Sequence, residues 1–176
     1  MSHVDFCLIA DHNSDRRNGL KDKIASHKLS STVVQAINCG HGLLYLTQCS
    51  DKVIGKQIVV ILNSKTPIMG GIEFLKELKK GEVQHNADTI KIVVLEDGLS
   101  DEDKKEYETY GVVDFMDCNL EDDELELQLK NIFKKPRIKR TEDSITKMRK
   151  IANTSEESSR DLESKQVYMI PNSNVG

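Results

Sequence analysis

Polar residues follow apolar runs at several points in this chain, and three of those junctions carry groups capable of chemistry. Asp11-His12 follows Val4–Ala10 (VDFCLIA), Asn63-Ser64-Lys65-Thr66 follows Ile58–Leu62 (IVVIL), and Cys118-Asn119 follows Val112–Met116 and Asp117. A carboxylate, an imidazole and a thiolate suit zinc or another transition metal. Asp11, His12 and Cys118 come from separate loops, however, and the cysteines Cys7, Cys39, Cys49 and Cys118 show no CxxC-like spacing. No metal or other cofactor is therefore expected. An Asn directly after a strand commonly caps the next turn with its side chain, which is the bland reading of Asn63. The stretch ADHNSDRR lacks the glycines that let backbone amides approach a phosphate, which argues against a nucleotide or flavin.

These positions need elements to hold them, and the central unit is Gln57–Leu75. An apolar run of five, Ile58–Leu62, four of them β-branched, suits a strand buried on both faces. The loop Asn63–Pro67 and Met69-Gly70-Gly71 lead into IEFLKELKK, where Ile72, Phe74, Leu75 and Leu78 mark one helix face. The chain otherwise reads as strand Val4–Ala10, helix from an N-cap at Ser14, strand Ser31–Asn38, and a short helix Gly40–Cys49 with Leu43, Leu44 and Leu46. Strand Ile90–Glu96 follows, then a helix capped by Ser100 and ended by Gly111, strand Val112–Met116, and helix Asp122–Phe133 with Leu125, Leu129, Ile132 and Phe133 inward. Alternating strands and helices require right-handed crossovers and helices on both faces of one sheet. The expected fold is a flavodoxin-like three-layer α/β/α sandwich with a five-stranded parallel sheet of order 2-1-3-4-5.

With Pro67, Met69 and Gly71 placed four, six and eight residues after Asn63, the chain resembles the receiver domain of two-component response regulators over residues 3 to about 135. The resemblance implies a phosphoryl-accepting site of clustered acids, a hydroxyl residue and a lysine, joined by magnesium. At those positions this sequence has Asp11-His12 for the paired acids, Asn63 for the phosphoacceptor, Leu95 for the hydroxyl residue, and Cys118 for the lysine. An amide forms no acyl phosphate, and one acid gives little electrostatic reason to hold magnesium. The expectation is thus a pseudo-receiver, not an enzyme, that signals through protein–protein contact. Its implied partners are a histidine kinase or another signalling protein, with a homodimer as a further arrangement. The implied switch and partner face comprises Phe115, Lys104, Lys105, Tyr107 and Tyr110, with Phe115 beside Leu95 in a switch held in one state. Two rival readings are phosphate acceptance at Asp11, Ser64 or Thr66, and a small-ligand sensor using the same crevice.

Composition bounds the rest. The chain has 176 residues, 31 % of them charged, and a net charge of −4. No run approaches the roughly 20 apolar residues of a membrane span, and the N-terminus lacks a signal-peptide plan. A cytoplasmic protein without membrane contact is expected. Residues 1–135 hold 17 basic and 23 acidic side chains, whereas residues 136–176 hold 8 and 6. The boundary is placed at the basic stretch KKPRIKR, which opens a C-terminal extension with a helix expected over 141–162 and a flexible end. That stretch has no interleaved aromatics, so a solvated linker is favoured over nucleic-acid binding.

Overall fold

The computed structural model describes residues 4–48, 56–80 and 90–134. The elements are β1 (Val4–Ala10), α1 (Ser14–Ser26), β2 (Ser30–Ala36), α2 (Cys39–Gln48), β3 (Ile58–Asn63), α3 (Gly71–Lys80), β4 (Ile90–Glu96), α4 (Asp101–Thr109), β5 (Val112–Asp117) and α5 (Asp122–Lys134). The five strands form one parallel sheet in the order β2-β1-β3-β4-β5. This is the doubly wound, flavodoxin-like arrangement that the alternation of patterns requires. The basic linker, the expected helix 141–162 and the flexible end lie outside the described residues.

Strand residues alternate between two cores. Leu8, Val60, Leu62 and Val94 join Leu46, Phe74, Leu75 and Tyr107 on the face covered by α2, α3 and α4. Cys7, Ile9, Val59, Ile61, Val93 and Leu95 join Leu20, Ile24, Leu129 and Ile132 on the face covered by α1 and α5. All six residues of β3 are buried, as expected for a strand covered on both sides. Lys91 is an unusual member of this interior, and its Nζ donates to the Ile132 carbonyl at 3.5 Å near the C-terminus of α5. A helix's C-terminal carbonyls carry partial negative charge and suit a cation there.

Element boundaries differ from the sequence reading where side chains cap. The N-cap of α1 is Asn13, not Ser14, because its Oδ1 accepts from the Arg16 backbone N–H at 2.9 Å. β2 stops at Ala36 instead of Asn38, since Asn38 turns to accept from His41 N–H at 2.8 Å and starts α2 one residue early. Leu44, expected among the apolar residues of that helix, is half exposed. The expected cap at Ser100 is a full capping box with Asp103. Gly111 ends α4 at φ +86, a conformation that favours glycine.

Candidate functional site

The parallel order brings the ends of β1, β3, β4 and β5 to one sheet edge, where open α/β sheets place their sites. Asn63 lies level with Leu95, and Leu95 with Met116. The site is therefore built from the β1–α1, β3–α3, β4–α4 and β5–α5 loops.

Asp11 is fully buried, and both of its carboxylate oxygens accept hydrogen bonds from the chain. Oδ2 accepts from Arg16 Nε, while Oδ1 accepts from Arg16 Nη2 at 2.9 Å, Asn13 N–H at 3.0 Å and Asn63 Nδ2 at 3.2 Å. His12 Nδ1 stands 3.5 Å from Oδ1 on a half-exposed side chain. The bidentate fork is the strongest of these contacts, since guanidinium geometry matches a carboxylate. Arg16 is correspondingly held above the ordinary arginine pKa, chiefly by its hydrogen bond to Asp11. Arg17 adds a 2.7 Å bond from Nη1 to the Asp11 carbonyl.

Asn63 is spent on structure at both ends of its amide. Its Nδ2 faces Asp11, and its Oδ1 accepts from the Lys65 backbone N–H at 2.8 Å, closing the expected Asx turn. Ser64 N–H then donates to the Leu95 carbonyl at 3.0 Å, and Gly71 N–H to the Ser64 carbonyl at 3.1 Å. Thr66 Oγ1 donates to the Met69 carbonyl and accepts from Cys39 N–H at 3.2 Å. The Ser64 hydroxyl is buried without a hydrogen-bond partner among the described residues. Lys65 extends along the rim, with Nζ 2.9 Å from the Asp97 carbonyl.

Leu95 is buried in the core beneath α1 and α5, and Cys118 is half-buried beside it. Burial pushes the Cys118 thiol pKa up, against the pull of nearby Arg16 and with further upward pressure from Asp11, Asp97 and Asp117. Such a thiol is a poor thiolate nucleophile or metal ligand. Arg16, Leu20, Lys23, Leu95, Cys118 and Leu125 help line a crevice of about 100 Å³ between α1 and the β5–α5 region. Ligand pockets for drug-sized molecules run from about 300 Å³ upward.

The magnesium that the receiver resemblance implies does not fit these residues. Its remaining acid, Asp11, has both oxygens occupied by protein donors, and Asn63 offers a neutral amide. Among the described residues, no three or more His, Cys, Asp or Glu side chains are grouped to hold a metal.

The expected partner face divides. Lys105 is exposed, and Lys104 is partly exposed with Nζ 2.8 Å from Glu96 Oε1 and 5.8 Å from the Phe115 ring centroid. Tyr110 is half-buried beneath Lys79, at 4.7 Å. Tyr107 is a correction, because it is only 3 % exposed and packs edge-on to Phe115 at 6.2 Å. Burial raises its hydroxyl to about 12. The pairing of Phe115 with Leu95 is a second correction. Phe115 lies level with Val94 and packs on the α4 side, while Leu95 packs beneath α1 and α5. Alternation along β4 and β5 puts them on opposite sheet faces.

Sequence reasoning missed Arg16, the main partner of Asp11. The signal was present: a residue in the first turn of α1 sits beside the end of β1, five positions after Asp11. The grip of Lys65 on the Asp97 carbonyl was also missed, since it does not follow from apolar periodicity.

No protein-family model matches the chain, and no curated protein matches it either. Its architecture is that of receiver domains. The chain is similar to the chemotaxis protein CheY4 of Vibrio cholerae at 19 % identity, covering 73 % of this chain and 98 % of that one with a TM-score of 0.59. It is also similar to the signal receiver domain of the putative response regulator NarL of Mycobacterium tuberculosis, at 11 % identity, 76 % and 99 % coverage and a TM-score of 0.60. A response regulator receiver protein of Pseudomonas putida gives 22 %, 74 %, 98 % and 0.57 in the same terms. The chain thus has the response-regulator receiver fold.

Proposed function

We propose that this chain is a receiver-like module of a two-component signalling pathway that works without accepting phosphate, through contact with protein partners. The observation that carries this reading is the state of Asn63. At the position where the receiver resemblance calls for a phosphoacceptor carboxylate stands an amide, and both of its polar atoms are engaged within the fold. The other acceptors considered fare poorly. Asp11 is clamped by Arg16, Thr66 Oγ1 is committed to Met69 and Cys39, and Ser64 is buried. The crevice beside Leu95 and Cys118 holds about 100 Å³, well under the volume of a drug-sized ligand's pocket, which weighs against the ligand-sensor reading there.

In this reading the chain is a signalling module and not an enzyme, needs no metal or cofactor, and presents the surface around Lys104, Lys105, Tyr110 and Phe115 to a histidine kinase, another signalling protein or a second copy. Residues 136–176 form an extension to a domain ending near residue 135. The test is incubation with a small phosphodonor and magnesium, read by intact mass. An unmodified chain is expected. A metal-dependent phosphoryl adduct would overturn the reading: a hydroxylamine-labile one would mark an acyl phosphate at Asp11, and an acid-stable one a phosphoester at Ser64 or Thr66.

A further inference from the structure

We propose that the Arg16 guanidinium is a built-in cation that takes the place of a divalent metal at Asp11, fixing the charge state of the site without any bound ion. The inference deepens the phosphate-independent reading above and rests on it for its regulatory meaning.

A fully buried carboxylate needs a counter-charge or a proton, because ionised oxygens lose most of their solvation inside a protein. Asp11 meets that need from within the chain. Arg16 covers both carboxylate oxygens, and its side chain is 23 % exposed, so the pair sits at the rim but inside the protein surface. The geometry is backed at each end. Asn13 caps α1 by accepting from the backbone N–H of Arg16, and its own N–H donates to Asp11 Oδ1. One residue thus fixes both the start of the helix and the acid that the helix's arginine meets. Asn63 closes the opposite side at 3.2 Å.

Oδ1 of Asp11 already accepts from three donors and Oδ2 from Arg16 Nε, whereas a hard cation would need several oxygens and ordered water at the same place. A guanidinium also differs from magnesium in its consequence. It is covalently tied, carries its charge at all accessible pH values, and does not leave when ion concentrations change. A receiver-shaped site with a tethered cation would hold one state whatever the cellular magnesium level.

The test is a metal titration followed by thermal unfolding at pH 8, where a free imidazole is neutral, on the whole chain with no phosphodonor. It therefore returns its answer whether or not the wild-type chain accepts phosphate. Mn²⁺ serves as the probe, at up to several millimolar, on wild type, Arg16→Gln and Arg16→Gln/Asp11→Asn. The wild-type midpoint should not move. The Arg16→Gln midpoint should start lower by about 3 °C or more, and the double variant, which removes the buried charge along with its counter-charge, should recover at least half of that loss. A wild-type midpoint that rises with Mn²⁺, an Arg16→Gln midpoint equal to that of wild type, or a double variant no more stable than Arg16→Gln would overturn the proposal. Should Arg16→Gln fail to fold, the double variant decides: its folding supports a neutralising role for Arg16, and its failure shows that Arg16 serves packing instead.

Discussion

Restoring an acid at residue 63 should damage this domain before it helps it. In Asn63→Asp, the amide that donates to Asp11 at 3.2 Å becomes a carboxylate facing a carboxylate. Two unit charges about 4 Å apart repel by about 4 kcal/mol at an effective dielectric near 20. The Arg16 charge on Asp11 and the Lys65 N–H that serves the side chain of residue 63 offset part of this, so a net loss of about 1–3 kcal/mol is expected. Urea unfolding at pH 8 reads this as a midpoint lowered by about 1 M, for a slope of about 1–3 kcal/mol per molar. The pH dependence has a fixed sign. Like charges raise one carboxyl's pKa in the folded variant, so the native state binds a proton that the unfolded chain does not. The deficit relative to wild type should therefore shrink as pH falls from 8 to 5. Phosphorylation should remain absent, since Leu95 and Cys118 supply neither hydroxyl nor ammonium. A variant as stable as wild type at pH 8, or one that labels efficiently, would refute the argument.

Other outcomes follow from particular contacts. Gly71→Ala would put a methyl 2.5 Å from the Tyr107 hydroxyl and 2.8 Å from Leu62 Cδ1, so a loss of about 1–3 kcal/mol by denaturant unfolding is expected. With its hydroxyl raised to about 12 by burial, Tyr107 should stay neutral through pH 10, and its contribution to stability should persist below pH 10 and fade as pH climbs toward 12; ultraviolet titration of wild type against Tyr107→Phe checks this. Glu126, depressed by its hydrogen bond to Lys130 and by His27, should titrate below the ordinary glutamate range and move back up in Lys130→Ala, followed by NMR. Its stabilising part is present above the unfolded-state value and is lost as pH falls through the folded one.

Much of this architecture is legible because apolar periodicity and turn chemistry agree. The run Ile58–Leu62 reads as a strand covered on both faces, and Gly111 and Ser100 mark the ends of α4 where they stand. Boundaries were misplaced where Asn13 and Asn38 cap, since a row of Asn and Ser offers several equivalent caps and only the tertiary contacts choose. The site was legible residue by residue but not as a network. Motif spacing points to Asp11 and Asn63, yet the arginine that neutralises Asp11 lies off the motif, in a helix whose apolar pattern is thin. Tyr107 and Phe115 show the converse problem. An exposed-looking charged helix, DEDKKEYET, buries one aromatic fully, and only the sheet register reveals which face Phe115 takes.

A phosphate-independent module requires that residue 63 and its neighbours hold no phosphoryl group. The most direct measurement is ¹⁹F NMR of the wild-type chain with magnesium and beryllium fluoride, a mimic of an acyl phosphate. Only the resonances of free fluoroberyllates should appear, unchanged by the protein. A bound resonance that requires magnesium and disappears on substitution of Asn63 or Asp11 would contradict the account.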